Sequence, residues 1–490
     1  MPGEVPDVRF RLSQPFSLTP ELEVDSGPGR SLLAGRNNAT GDLEALYLGK
    51  HAEAPFRDIW MDIKGAHVLY VMGKRRSGKS FTLGAIAEGL VSQSWLRQGA
   101  REQAVLILDT MNVFLTLPFA VSDAELSSSS VIQNVQRWRL ASERPNAILF
   151  APRDTARPAG VNINPFMVQA SDLAVEEWCS LFDLDPFADP MGHLITVLHA
   201  KVAREGVVDK ATGDVTPPLD AFGLDELLAA LDRDRDIDSF SVDTRSALRR
   251  RLETTARTPL FGSQPVNMNT LLRPGQISVI LLRDLEPEVR AVIVALITKR
   301  LMQGRAQAEQ YERLIPVHRA RAENFRESDP IASARELALA ENCVEQAALG
   351  LPRAWLIIDE AHNYVPARQR PASRKPLKKY VDEGRNLGLS IVVATQEPAG
   401  LDPSLQRNAD MLLVHALSHH DDIAAAQGML NAALPDEIII DNRRFSGSRA
   451  FEAAVRQLPL GYAFLSTDRA SRIFPLQVRP RVSVHGGADY

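Results

Sequence analysis

Val68-Leu69-Tyr70-Val71-Met72-Gly73-Lys74-Arg75-Arg76-Ser77-Gly78-Lys79-Ser80 decides the fold of this chain. It opens as an apolar run of strand character and closes on the pattern G-x-x-x-x-G-K-S. Beyond it, Leu83, Ile86 and Leu90 recur at helical spacing. Strand, glycine-rich loop and helix are the context that a phosphate-binding loop needs. Glycines let the backbone wrap an anion, and N–H groups at the helix start point at it. On this reading Gly73, Lys74, Arg75, Arg76, Ser77, Gly78, Lys79, Ser80 and Phe81 form a nucleotide cradle. Lys79 reaches the β- and γ-phosphates, and Ser80 holds Mg²⁺. The plainer alternative, an ordinary glycine-rich turn, is disfavoured by the strand before it and the helix after it.

Composition sets broad limits. The chain has 490 residues, 45% apolar and 24% charged, as expected of a globular protein of two to three folding units. Cys179 and Cys343 lie far apart, so neither a disulfide framework nor a zinc site is indicated. Neither a secretory signal nor a run of 18 consecutive apolar residues occurs, and a cytoplasmic protein without membrane spans is expected. A net charge of -5 argues against a broadly basic nucleic-acid binder and leaves room for local basic loops.

Working outward, residues 1–51 are rich in Pro, Gly and polar residues, with strand-like pieces at Val8–Leu12 and Leu43–Leu48. A small β extension and partial disorder are both compatible with them. From residue 52 strands and helices alternate. The strand candidates are Val68–Met72, Val105–Leu108, Ala147–Phe150, Ile277–Leu282, Trp355–Ile358, Ser390–Ala394, Met411–Val414 and Tyr462–Leu465. That alternation predicts an α/β fold, a mostly parallel sheet covered by helices. Residues 168–262 lack convincing strands and carry Leu224, Leu227, Leu228 and Leu231 at helical spacing, so they are expected to be a helical insertion. The α/β core is thereby split into 52–167 and 263–490. Within the second part, Val289, Val292, Ile293, Leu296 and Ile297 predict a packed helix, and 305–350 a polar helical stretch.

Trp355-Leu356-Ile357-Ile358-Asp359-Glu360 is an apolar strand ending in two carboxylates, the form of a Walker B element. Asp359 is expected in the Mg²⁺ shell, and Glu360 as the base that orients and deprotonates the attacking water. The strand Ser390–Ala394 leads to Thr395-Gln396, where the amide of Gln396 is placed to sense the γ-phosphate; the alternative is an amide capping a loop. Arg385 is a candidate for stabilising transition-state charge from a neighbouring subunit. Arg368, Arg370, Arg374, Lys375, Lys378 and Lys379 fall in a stretch with no acidic residue, so they read either as phosphate-backbone contacts or as a solvated loop. His415, His419 and His420 mimic metal-ligand spacing, but the structural reading is favoured. Asp109 ends its strand near the nucleotide or merely caps it.

Taken in order, these motifs resemble the HerA/FtsK superfamily of ring ATPases, and its HerA branch most closely. The resemblance runs from about Leu48 to the C-terminus. It rests on Gly73–Ser80, Val161-Asn162-Ile163-Asn164-Pro165-Phe166 and Pro274-Gly275-Gln276-Ile277-Ser278-Val279. Also contributing are Asp359-Glu360-Ala361-His362-Asn363-Tyr364, Glu383-Gly384-Arg385-Asn386-Leu387-Gly388, Ala394-Thr395-Gln396-Glu397-Pro398 and His485-Gly486-Gly487. It implies a RecA-like core of the ASCE P-loop type, a homohexamer with ATP and Mg²⁺ between subunits, and ATP-driven translocation or unwinding of double-stranded DNA. It further implies an accessory partner, a NurA-like nuclease or a sirtuin-like NADase, in DNA repair or antiviral defence. By position it assigns Lys79 and Ser80 to Walker A, Asp359 and Glu360 to Walker B, Gln396 to the sensor and Arg385 to the trans-acting arginine.

The chain departs from the family pattern in three places. A full β-barrel usually precedes the loop, whereas here 1–51 allows at most a reduced one. Val113 stands where a glutamate is common, and Arg76 where glycine is common. The competing reading is an ATP-dependent ring that scaffolds or gates an effector without processive translocation.

Overall fold

The computed structural model describes residues 9–13, 31–35, 44–96, 100–124, 129–140, 143–430, 432–468 and 472–486. One large sheet organises them. Its strands in chain order are β1 (Leu32–Ala34), β2 (Ala45–His51), β3 (Ala54–Asp62), β4 (Val68–Met72), β5 (Ala104–Asp109), β6 (Ala147–Ala151) and β7 (Ile163–Pro165). They continue as β8 (Gln276–Leu281), β9 (Ala354–Ile358), β10 (Leu389–Thr395), β11 (Met411–Val414), β12 (Tyr462–Thr467) and β13 (Phe474–Val478). Across the sheet the order is β1-β3-β2-β13-β12-β11-β4-β10-β9-β5-β8-β6-β7.

From β11 to β7 every pairing is parallel. The central strands β4, β5, β9 and β10 are buried along their whole length, which explains why each reads as an unbroken apolar run. On the far side β11, β12, β13, β2 and β3 pair antiparallel. The described strands of the N-terminal extension do not close a separate barrel. β1 and β2 widen the main sheet, while Phe10–Leu12 joins a small sheet with Glu437–Ile440 and Arg443–Ser446. The rest of residues 1–43, on which the partial-disorder alternative bears, lies outside the described residues.

Residues 168–262 carry the helices Val175–Leu181, Pro190–Ala200, Leu224–Arg233 and Val242–Ala256. Leu224, Leu227 and Leu231 are buried, and Leu228 is half-buried. A two-residue hairpin, Val207–Val208 with Val215–Thr216, interrupts the helices. Helix α1 (Lys79–Val91) follows the loop after β4. Helix α2 (Pro287–Phe325) buries Val292, Ile293, Leu296 and Ile297 and then runs on to pair with α3 (Pro330–Leu349). Helix α4 (Arg374–Glu383) leads back to β10.

At the foot of β4 the fold holds a buried charge cluster. His67 Nδ1 lies 2.9 Å from Asp410 Oδ2 and its Nε2 3.3 Å from Asp62 Oδ2. Arg385 also approaches Asp410, at 3.7 Å. Burial pulls the imidazole pKa down, but the two carboxylates outweigh it and raise it to about 9. A histidine whose pKa is higher folded than unfolded stabilises fully below its unfolded value of about 6.5 and loses that contribution as pH rises through the folded value. Thermal stability of the wild type is therefore expected to fall between pH 6.5 and 9 more steeply than that of His67→Gln. Parallel melting curves across that range check it, and equal slopes would remove the assignment.

Candidate nucleotide site

The pairing register brings the polar strand ends to one level. Met72 faces Thr395, and Ile358 faces both Val393 and Leu108. The residues that follow each strand, Gly73, Asp359, Gln396 and Asp109 itself, consequently meet along the C-terminal edge of the sheet. Gly73 admits no side chain, since a Cβ there would stand 2.3 Å from Ser77 Oγ and 2.8 Å from His415 Cβ. Gly78 takes φ 97° as it turns the loop into α1, and Arg76 holds φ 64°, the left-handed region that accounts for glycine being usual there. Lys74 N–H donates to Ala416 O at 2.7 Å and anchors the loop's start; the side chains of Arg75 and Arg76 are exposed.

Lys79 is buried and points to Asp359 and Glu360: its Nζ hydrogen-bonds Asp359 Oδ1 and lies 3.0 Å from Glu360 Oε1. Ser80 Oγ donates to Asp359 Oδ2 at 3.1 Å. Gln396 Nε2 donates to Glu360 Oε1. Burial draws the Lys79 ammonium pKa down, and the two carboxylates more than reverse this, so it titrates above the ordinary lysine value. Glu360 sits at φ 54°, a strained conformation for a glutamate of the kind stored at functional sites.

Three observations test whether these residues fit a nucleotide with its Mg²⁺. Ser77 Oγ and Glu360 Oε2 are buried without a hydrogen-bond partner. Helix α1 has neither a side-chain N-cap nor an acidic residue in its first turn, so no side chain of the helix itself caps the N–H groups there. The Ser80 hydroxyl and Asp359 carboxylate are hard oxygen donors already within hydrogen-bond reach of one another. The residues fit.

Several further polar residues, none of them assigned a role at the nucleotide by the sequence, stand near the site. His362 Nδ1 lies 3.2 Å from Thr395 Oγ1 and 3.5 Å from Glu360 Oε2, behind the carboxylate. His415 is buried against the loop. Its Nδ1 meets Tyr462 O at 2.8 Å, a contact only a protonated nitrogen can make, which leaves Nε2 to accept from Thr82 Oγ1 at 3.0 Å. Burial, helped by Lys79, lowers its pKa to about 4 and keeps it neutral. His420 pairs instead with Glu452, and among the described residues no group of three candidate ligands gathers to hold a metal. Asp109 accepts from the N–H groups of Met111, Val113 and Phe114, and so caps the turn after β5; burial still raises its pKa to about 6.

A strap from the C-terminus braces α1. Arg479 and Arg481 are fully buried beneath it and both bond Glu88 at 3.2 Å. Glu88 accepts further from the N–H groups of Val482 and Ser483 and from Ser483 Oγ. The glycines of α1 make room: a Cβ on Gly84 would stand 2.5 Å from Arg481 Cζ.

Two groups of expected residues lie outside this cluster. Arg385 sits at the opposite end of β10 from Gln396, a seven-residue strand away, or about 20 Å. In the basic stretch, Arg374 turns inward and places Nε and Nη2 2.9 and 2.7 Å from Asp402 Oδ2, so it serves the fold and not a free surface. Lys379 lies 3.8 Å from Glu383, while Arg368, Arg370, Lys375 and Lys378 are exposed.

Residues 69–301 match the family described as "Helicase HerA, central domain". Over that span the chain is similar to the central domain of HerA helicases. The matched span includes Gly73–Ser80 and stops short of Asp359, so residues beyond it complete the site. The chain's fold is similar to that of VirB4 of Thermoanaerobacter pseudethanolicus, with a TM-score of 0.50 and 15% identity over 91% of this chain and 98% of that one. Plasmid coupling protein TrwB in complex with ADP and Mg²⁺ aligns with a TM-score of 0.42 and 16% identity, over 85% of this chain and 86% of that one. The genome packaging NTPase B204 from Sulfolobus turreted icosahedral virus 2, in complex with ATP-gammaS, aligns with a TM-score of 0.20 and 16% identity, over 29% of this chain and 59% of that one. No curated protein matches the chain. No described helix is long and apolar enough to cross a membrane.

Proposed function

We propose that this chain is an ATPase of the HerA type, a homohexameric double-stranded DNA translocase that hydrolyses ATP at subunit boundaries and serves a partner nuclease or defence effector. The observation that carries the ring is the position of Arg385. It lies a strand length from its own Gln396, so if it acts in hydrolysis it acts on a neighbour's nucleotide.

Within each site the residues take separate roles. Glu360 accepts the proton of the attacking water, and Gln396, bonded to Glu360, holds that carboxylate in line. Lys79 turns from Asp359 and Glu360 to the phosphates when nucleotide enters, freeing both carboxylates. Ser80 and Asp359 would hold Mg²⁺, which would supply neutralisation of phosphate charge.

The test uses two inactive variants. Arg385→Ala keeps an intact pocket and lacks the arginine; Glu360→Gln keeps the arginine and lacks the base. Mixed before ring assembly, they are expected to regain ATPase activity, because a Glu360 site can receive Arg385 from the other copy. Mixtures as inactive as either parent would remove the shared site.

For DNA, the exposed Arg368, Arg370, Lys375 and Lys378 supply phosphate contacts. Replacing all four by alanine is expected to abolish stimulation of the ATPase by duplex DNA while leaving basal hydrolysis intact. Full stimulation in that variant would favour the ring that scaffolds an effector over the translocase.

A further inference from the structure

The carboxylates fix the direction in which a nucleotide lies. Asp359, Glu360 and Gln396 follow β9 and β10, on one side of β4, so the γ-phosphate end belongs there. A phosphate chain laid across the start of α1 from that end leaves its nucleoside on the other side of β4, toward β11, β12 and β13.

Three apolar or aromatic side chains stand partly open around the start of α1: Leu460 on that side, and Phe81 with His485, whose backbone neighbours are tied to the segment after β5. Phe81 is half-exposed, although α1 is buried at every residue from Thr82 to Val91. Leu460, just before β12, is 49% exposed, and its Cδ1 lies 3.5 Å from where a Cβ of Gly78 would stand. His485 presents its ring edge-on to Phe81, with centroids 5.7 Å apart and planes at 82°.

The His485 ring is held from behind. Arg481 Nη1 lies 3.1 Å from its Nδ1, and the preceding residue is tied down where Val484 N–H donates to Phe119 O at 2.9 Å and Thr116 Oγ1 donates to Val484 O at 2.9 Å. Burial and the Arg481 charge lower the imidazole pKa to about 3, so the ring is neutral. A rigid, uncharged, partly open surface one residue beyond the Mg²⁺ serine suits a flat heteroaromatic ring.

We propose that Phe81, Leu460 and His485 form the surface on which the nucleobase of the bound nucleotide rests. The strap that braces α1 thereby also contributes to nucleotide recognition. The proposal rests on the assignment of Gly73–Ser80 to the phosphates.

Binding of Mg²⁺·ADP and of Mg²⁺·tripolyphosphate, which has no base, tests it on the full chain. Phe81→Ala and Leu460→Ala are each expected to weaken ADP about ten-fold, as loss of a stacking or apolar base contact does. Tripolyphosphate should stay within about two-fold of wild type, because the phosphate contacts are untouched. Equal losses for both ligands, or no loss for ADP, would overturn the base surface. Leu460 is exposed and its replacement leaves the core intact, so the test survives if Phe81→Ala unfolds. Lys79→Ala, which should lose both ligands, separates failure of the phosphate assignment from failure of the base surface.

Discussion

Glu360→Gln is expected to bind ATP and not to turn it over. The proposed role of Glu360 is to take the proton of the attacking water, and an amide cannot do so. Loss of a general base lowers turnover by about 10²- to 10⁴-fold. Binding should survive, because the groups assigned to the phosphates are the loop backbone and Lys79, which this change leaves in place. A secondary effect follows from the geometry. Glu360 Oε1 lies 3.0 Å from Lys79 Nζ and accepts from Gln396 Nε2. In the variant Lys79 keeps only Asp359 as a charged partner, so less attraction opposes its swing to the phosphates. ATP affinity is therefore expected to equal or exceed that of wild type. Lys79→Ala should behave oppositely and lose affinity itself. Equilibrium binding of a labelled ATP analogue, beside steady-state phosphate release, checks both. Wild-type turnover by Glu360→Gln would place the base elsewhere.

How much of this was legible beforehand depended on how local each signal was. The central strands were readable because a strand buried on both faces must be apolar throughout, and β4, β5, β9 and β10 are. β3 and β13 were not found. β3 carries Pro55, Arg57 and Asp58 on a half-exposed sheet margin, a mixture that resembles a loop. β13 contains Pro475, which argues against a strand in any reading by propensity. The structure tolerates it because pairing with β2 begins only at Leu476, so the missing N–H leaves no gap in that ladder.

The site divides the same way. Its loop, carboxylates and glutamine follow strands whose ends are visible in sequence, and parallel register brings them level. Arg374 reads in sequence as an outward cation because its partner, Asp402, lies 28 residues on, beyond the rest of α4 and the whole of β10. In sequence His415 suggests only a metal-like spacing, and His362 only a place in the segment Asp359–Tyr364. Only the approach of Glu360 and of Gly73 makes them neighbours of the chemistry.

The strap was the least legible part and is where the largest loss of stability is expected. Arg479-Pro480-Arg481 matches no motif, and its anionic partner Glu88 lies 391 residues before Arg479. In the structure Glu88, Arg479 and Arg481 are all but removed from water, with side-chain exposures of 1%, 0% and 1%. Arg479 also lies over the Trp95 ring at 4.3 Å, and Arg481 reaches Ser483 and His485. Burial lowers both guanidinium pKa values, and the Glu88 carboxylate opposes that shift. Glu88→Ala would leave two buried cations without their shared anion and strand the N–H groups of Val482 and Ser483. Breaking a buried pair from one side costs about 3–5 kcal/mol, and the unpaired N–H groups add to it. Urea unfolding followed at Trp95, the tryptophan beside the cluster, is expected to show a midpoint well below wild type. Glu88→Gln, which keeps the volume and the N–H contacts, should recover only part of the loss. A Glu88→Ala midpoint equal to wild type would mean that the arginines find water or other anions, and that α1 stands without the strap.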